Sequence, residues 1–223
     1  MTQNKQTIAV IDYGMGNLHS VAKALQHADH DGVANILVTH QLQEIKNADK
    51  VLLPGVGAMR DCMGEMQALD LIATIKESAE NKPFLGICIG MQALLSHSDE
   101  NDGVACLDIF KGNVVHFSDG LKENNLNLKI PHMGWNTVQQ STQHPIPHPM
   151  WDNIKQDEFF YFVHSYYALP EDKSQIAATS VYGEQFTAAI SKDNIFATQF
   201  HPEKSADAGL QLYSNFINWN GEI

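Results

Sequence analysis

Cysteine is scarce in this chain. Three residues among 223, Cys62, Cys88 and Cys106, are too few and odd in number for a disulfide framework, and they fit a reducing compartment. Basic charge is also in short supply. Lys and Arg total 14 against 26 Asp and Glu, leaving a net charge of −12, and no block of Lys or Arg occurs anywhere. Such a surface repels phosphate backbones and anionic lipid, which argues against nucleic-acid and membrane-surface partners. Long apolar runs are missing as well: none approaches the roughly 20 residues that span a bilayer. The polar start MTQNKQ leads directly into TIAVIDY, without the apolar region and small-residue cleavage site of a secretion signal. These absences predict a soluble, cytoplasmic protein. An apolar content of 43% is ordinary for a globular chain, so disorder is not expected.

Strand and helix signals alternate through the first half. Residues 7–12 form an apolar, Ile- and Val-rich run, and Gly14 and Gly16 then mark a turn. Leu18, Val21, Ala22 and Leu25 recur at helical spacing. Further strands are expected over 35–39, 50–53 and 83–87, with helices over 61–80 and 90–96. This order predicts a largely parallel sheet with helices on both faces. Residues 104–138 read as short strands and turns, and 139–150, with three prolines, as a surface loop. The runs 158–163, 176–179, 188–191 and 195–200 are strand candidates. A closing helix over 206–219 places Leu210, Tyr213, Phe216 and Ile217 on one face. No repeat or linker divides the chain. The expected fold is one α/β domain over residues 1–223, an open mixed sheet with a parallel core and an antiparallel extension.

Three segments carry chemistry. The first is LGICIGMQ, residues 85–92, a Gly-x-Cys-x-Gly core between a strand and a helical run, the cysteine form of a nucleophile elbow. A sharp strand-to-helix turn lifts the Cys88 side chain above the sheet edge. Gly86 and Gly90 let neighbouring chain pack against the turn. The start of the following helix favours the thiolate, and the Ile89 amide is available to an oxyanion. The second is QFHPEKS, residues 199–205. Pro202 biases His201 to extended geometry, in which residues i and i+2 face the same way, so His201 and Glu203 are expected to project together as a base and its orienting carboxylate. The third, PGVGAM at 54–59, is a Gly-rich turn at the carboxyl end of a strand, where open α/β sheets bind ligands. It lacks the Lys-Ser/Thr of a phosphate-binding loop. No metal site is expected: prolines 145, 147 and 149 forbid the helix that would align His144 with His148, and both are expected in a solvated loop. Taken alone, these residues leave open a protease-like thiol hydrolase and a catalytically silent relative.

Together, LGICIGMQ, PGVGAM and QFHPEKS resemble the class I, or triad, glutamine amidotransferases. IDYGMGN at 11–17, PHMGWN at 131–136 and YFVHSYY at 161–167 narrow the resemblance to the glutaminase subunits of imidazole glycerol phosphate synthases. It spans residues 8–216. The resemblance implies a flavodoxin-like mixed sheet. It implies Cys88 as nucleophile, His201 as base and Glu203 as its orienter. Gly57 and Ile89 would form the oxyanion hole, and Gly55, Gln92, Ser165 and Tyr166 would contact the substrate, L-glutamine. Asn17, Trp135 and Lys204 would lie near a partner, a (β/α)₈-barrel cyclase bound as a heterodimer. No cofactor is implied. A glutaminase of this kind is implied to rest until its cyclase binds ligand, and the glycines of PGVG would allow a peptide there to flip. The stretches before residue 8 and over 29–35 look longer than in the family and are expected at the surface. Met59 stands where an aromatic is expected.

Overall fold

The computed structural model describes residues 5–118, 121–123, 126–142 and 147–222. The first half alternates as expected: β1 (Gln6–Ile11), α1 (Leu18–Ala28), β2 (Ala34–Thr39), α2 (Leu42–Asn47), β3 (Lys50–Leu53), α3 (Met59–Ala68), α4 (Leu71–Asn81), β4 (Phe84–Ile87) and the single turn α5 (Ile89–Gln92). Short strands follow: β5 (His97–Ser98), β6 (Val104–Ala105), β7 (Gly112–His116), β8 (Lys122–Glu123) and β9 (Leu126–Asn127). The second half adds β10 (His132–Gln140), β11 (Glu158–His164), β12 (Tyr166–Pro170), β13 (Ile176–Tyr182), β14 (Glu184–Lys192), β15 (Ile195–Thr198) and the closing helix α6 (Ala206–Asn218).

Nine strands form the main sheet in the order β11-β10-β13-β14-β15-β4-β3-β1-β2. From β2 to β15 the neighbours are parallel; from β15 to β11 they are antiparallel. The parallel core and antiparallel extension read from the sequence are both present. β1 crosses over to the sheet edge at β2, and the chain then reverses direction to β3. Right-handed crossovers therefore put α1 and α2 on opposite faces. Packing agrees: α1 lies against α6, while α4 lies against α2 and α3. A second sheet, β12-β7-β5-β6, was not apparent in the sequence. The chain returns to it at Ser165, where β11 leaves the main sheet and β12 pairs with β7.

Several expectations need correction. The helix expected over 61–80 is two helices, because Asp70 takes a left-handed conformation (φ 56°) that no continuous helix accommodates. The helix expected over 90–96 ends at Gln92. β10 runs through nine residues where short strands were expected. The loop expected over 139–150 is not a surface loop throughout. Its last part is a 3₁₀ turn, Pro149–Trp151, with Met150 and Trp151 buried. His148 is buried there too, accepting from the Met150 amide (3.1 Å) and packing on Phe196 and Trp219. His144 lies outside the described residues. Met59 packs fully buried in the core, without the expected aromatic. In the stretch 29–35, residues 30–32 are exposed, while Asp29 folds back to accept from the Val33 and Ala34 amides.

Candidate active site

In a parallel sheet the carboxyl ends of neighbouring strands lie side by side, and the three motifs each follow such an end. Pro54 follows β3, Cys88 follows β4, and Gln199 and His201 follow β15. Registry sets their spacing: Leu53 pairs with Gly86, and Thr198 with Ile87. The Cys88 amide donates to Thr198 O at 2.7 Å, tying the elbow to β15 just before the histidine segment.

Cys88 adopts φ 54° and ψ −108°, a conformation rare for a residue with a side chain and held only where the surroundings impose it. The surroundings are the glycines. A Cβ on Gly90 would stand 1.9 Å from Leu53 O, and one on Gly86 would stand 3.0 Å from Gly90 O. Only bare backbone fits between β3 and the turn, so the elbow is locked from below.

His201 and Glu203 meet as expected, Nδ1 to Oε1 at 2.8 Å, with both side chains almost wholly buried. The means differ from the expectation. Pro202–Lys204 is a 3₁₀ turn, not an extended strand, so Glu203 curls back under the ring instead of pointing in parallel. Tyr213 Oη stands 3.4 Å from Glu203 Oε2. The His201 backbone is fixed by its amide to Tyr161 O (2.9 Å) and by Ser205 Oγ on its carbonyl (2.7 Å). Nε2 is buried and faces the Cys88 sulfur. Burial opposes a charge on the ring, but the Cys88 sulfur, as a charge and as a hydrogen-bond partner, and the Glu203 carboxylate outweigh it. His201 is pushed up to about 10.

A cleft of about 270 Å³ opens over the sulfur, lined by Gly57, Cys88, Ile89, Gln92, Tyr166 and His201 among others. Ser165 also lines it, but Gly55 does not: it lies behind the loop, where a Cβ would stand 2.5 Å from Tyr13 Oη. Tyr13 braces this loop by donating to Pro54 O at 2.7 Å. Gly57 holds φ 113°, open to glycine alone. Among the described residues, the Gly57 and Ile89 amides have no acceptor, so both are free to serve a ligand. Gln92 is buried with its amide nitrogen bonded to Tyr166 O (2.8 Å) and Gln199 Oε1 (2.9 Å), which leaves its oxygen for the cleft. Glu100, which the sequence did not single out, also lines the cleft. One of its oxygens accepts from the Met59 amide at 2.8 Å.

Asn17, Trp135 and Lys204 lie outside the cleft, and all three are exposed. Trp135 meets the Tyr161 ring edge-on at 6.1 Å, and Lys204 Nζ stands 5.6 Å from the centre of the same ring. Two of the three thus share one patch. Among the described residues, no group of three or more His, Cys, Asp and Glu could hold a metal ion, and no helix is long and apolar enough to cross a membrane.

Known proteins resemble this chain along nearly its whole length. The family model for class-I glutamine amidotransferases matches residues 9–219. The chain is 56% identical over 214 residues to the imidazole glycerol phosphate synthase subunit HisH of Acinetobacter baylyi, covering 96% of this chain and 98% of that protein. It is 52% identical over 216 residues to the subunit of the same name from Pseudomonas putida, covering 97% and 99%. Among solved structures, a glutamine amidotransferase superposes with a TM-score of 0.68 at 12% identity, covering 95% of this chain and 99% of that one; it supports the fold.

Proposed function

The chain belongs to the class-I glutamine amidotransferases, and from that membership we propose that it is the glutaminase subunit of an imidazole glycerol phosphate synthase. It hydrolyses L-glutamine to glutamate and passes the ammonia to a (β/α)₈-barrel cyclase, its partner in a heterodimer, for imidazole glycerol phosphate and AICAR synthesis on the way to histidine. The whole chain acts as one amidotransferase domain in the cytoplasm. The observation that carries this reading is the elbow cysteine facing a buried histidine whose far nitrogen is clamped by Glu203 at 2.8 Å.

The chemistry follows from the arrangement. The Cys88 sulfur attacks the side-chain amide carbon of glutamine, and the oxyanion is received by the Gly57 and Ile89 amides. The carbon–nitrogen bond breaks as His201 gives its proton to the departing ammonia. A histidine whose hold on its proton is strengthened by the sulfur and the carboxylate is ready for that step. Neutral His201 then takes a proton from water, which hydrolyses the γ-glutamyl thioester and frees the sulfur. Glu203 keeps the ring in one orientation throughout. The Glu100 carboxylate and the Gln92 oxygen are acceptors suited to the substrate's α-ammonium, and the backbone at Ser165 and Tyr166 flanks its α-carboxylate. Trp135, Lys204 and Asn17 face the cyclase.

The test is glutamine hydrolysis by the wild type and Cys88→Ala, each with and without the cyclase and its phosphoribosyl ligand. Cys88→Ala is expected to lose activity by about 10⁴-fold or more in the liganded complex. A loss under about tenfold would remove Cys88 from the nucleophile's role.

A further inference from the structure

Gln199 is fully buried two residues before His201, and its side-chain nitrogen lies 3.6 Å from Cys88 Sγ. It does not line the cleft. A side-chain amide could in principle present either end to the sulfur, but the neighbouring bonds decide which. The Tyr166 carbonyl can only accept, so the group 2.8 Å away is the Gln92 NH₂. That same NH₂ gives its second hydrogen to Gln199 at 2.9 Å, so Gln199 turns its oxygen to Gln92 and its NH₂ to the sulfur.

Tyr166 O starts a second branch. His164 Nδ1 lies 2.9 Å from it and must therefore carry a hydrogen. In the neutral ring Nε2 is then an acceptor, and it receives His132 Nδ1–H at 3.0 Å. His132 Nε2 in turn accepts from the Asn136 NH₂ at 3.4 Å, whose other hydrogen goes to Val181 O at 2.8 Å. The two rings meet because His132 and His164 are directly paired in the β10–β11 register. Burial, which pushes His132 down to about 4 and His164 to about 3, keeps both neutral, as the directions require. One consistent set of donors and acceptors thus runs from Val181 to the reactive sulfur.

We propose that Gln199 is a positioning residue for Cys88, holding the sulfur through a donor whose direction is set by Gln92 and the Tyr166 carbonyl, which can only accept. The proposal rests on Cys88 being the amidase nucleophile. The donor narrows the positions open to the sulfur, and charge developing on it meets a hydrogen and not a lone pair. Because Gln199 stands behind the sulfur and outside the cleft, its loss acts on turnover and not on substrate binding.

The experiment uses the complete heterodimer with the cyclase ligand bound, and two readouts: kcat and KM for glutamine, and the rate at which iodoacetamide alkylates Cys88, followed by peptide mass. Burial pushes the Cys62 and Cys106 thiols up to about 11 and about 12, so they label slowly. Gln199→Met is expected to lower both kcat and the alkylation rate about tenfold, the size of one lost bond to a charged group, with KM within about twofold. Gln199→Leu, which has no hydrogen to donate, gives the same result should the Met variant fold poorly. Unchanged alkylation and kcat in both Gln199 variants, or a raised KM at intact kcat, overturns the proposal. Alkylation needs no glutamine. A wild type without glutaminase activity but with Gln199-dependent labelling therefore defeats the functional reading while supporting the placement of Gln199.

Discussion

In the centre of the sheet, β3, β4 and β15 bury every residue, whereas β10, β11 and β13 of the antiparallel half leave Met133, Trp135, Phe159 and Val181 more than half exposed. The parallel half is covered on both faces by helices, and its strand ends cannot move independently. It carries the elbow, the glycine loop and the histidine. The antiparallel half has one covered face. That face holds His132 and His164 paired in register. The other presents Trp135 beside Tyr161, with Phe159 opposite Thr137 on the same side. A large apolar patch on an otherwise acidic chain is the expected mark of a docking surface. The contrast separates a half whose strand ends are held from both faces from one that leaves an apolar face in solvent.

Three experiments break or sharpen this contrast. The largest effect is expected in the parallel half. Gly90→Ala places a methyl group 1.9 Å from Leu53 O, and the backbone there has no free side to move toward. A loss of about 3 kcal/mol or more is expected from the urea midpoint, at the upper end of overpacking effects. A loss below about 1 kcal/mol would show that the elbow is not rigid.

The next effect belongs to the covered face of the antiparallel half. Folded His132 and His164 stay neutral down to about 4 and about 3, while the unfolded chain binds protons near 6.5. Below pH 6.5 the unfolded state therefore holds more protons, and stability falls as pH falls. Between pH 6.5 and 5 the expected cost is on the order of 1–2 kcal/mol for each histidine. His201 has the opposite sign: its raised value adds stability that is complete below about 6.5 and is lost as pH rises toward about 10. Denaturant midpoints across pH 5 to 10 for the wild type and His132→Asn separate the two. An acid limb of equal size in the variant would show that His132 contributes nothing.

The smallest effect is expected on the exposed face. Trp135→Ala should weaken the heterodimer about 30-fold, about 2 kcal/mol, and leave the unfolding midpoint of the isolated chain nearly unchanged. Calorimetric titration with the cyclase measures the first and urea the second. A large stability loss with unaltered affinity would make Trp135 part of the fold and not of the docking face.

Much of the parallel half was legible, because its signals are local. An apolar strand followed by Gly-x-Cys-x-Gly describes a turn whose geometry depends on glycines at fixed offsets. The His201–Glu203 pairing was legible in its partners but not in its means. Pro202 favours the extended form for the residue before it, yet a 3₁₀ turn follows, packed so closely under α6 that a Cβ on Gly209 would stand 1.9 Å from Pro202 O. The break at Asp70 and the burial of His148 were invisible, since neither a glycine nor a proline marks the first and only tertiary packing on Phe196 and Trp219 explains the second.

By itself, then, the order of residues determined the alternation of strand and helix, the three segments that meet at the cleft, and the family. Gln199, Glu100 and the His132–His164 pair were decided only by the tertiary structure. Each takes its role from a residue distant in the chain: Cys88 and Gln92 for Gln199, Met59 for Glu100, and the β10–β11 register for the histidines. A side-chain amide or a neutral imidazole carries no direction of its own, and it acquires one only when a neighbour that can solely accept, here the Tyr166 carbonyl, is folded against it.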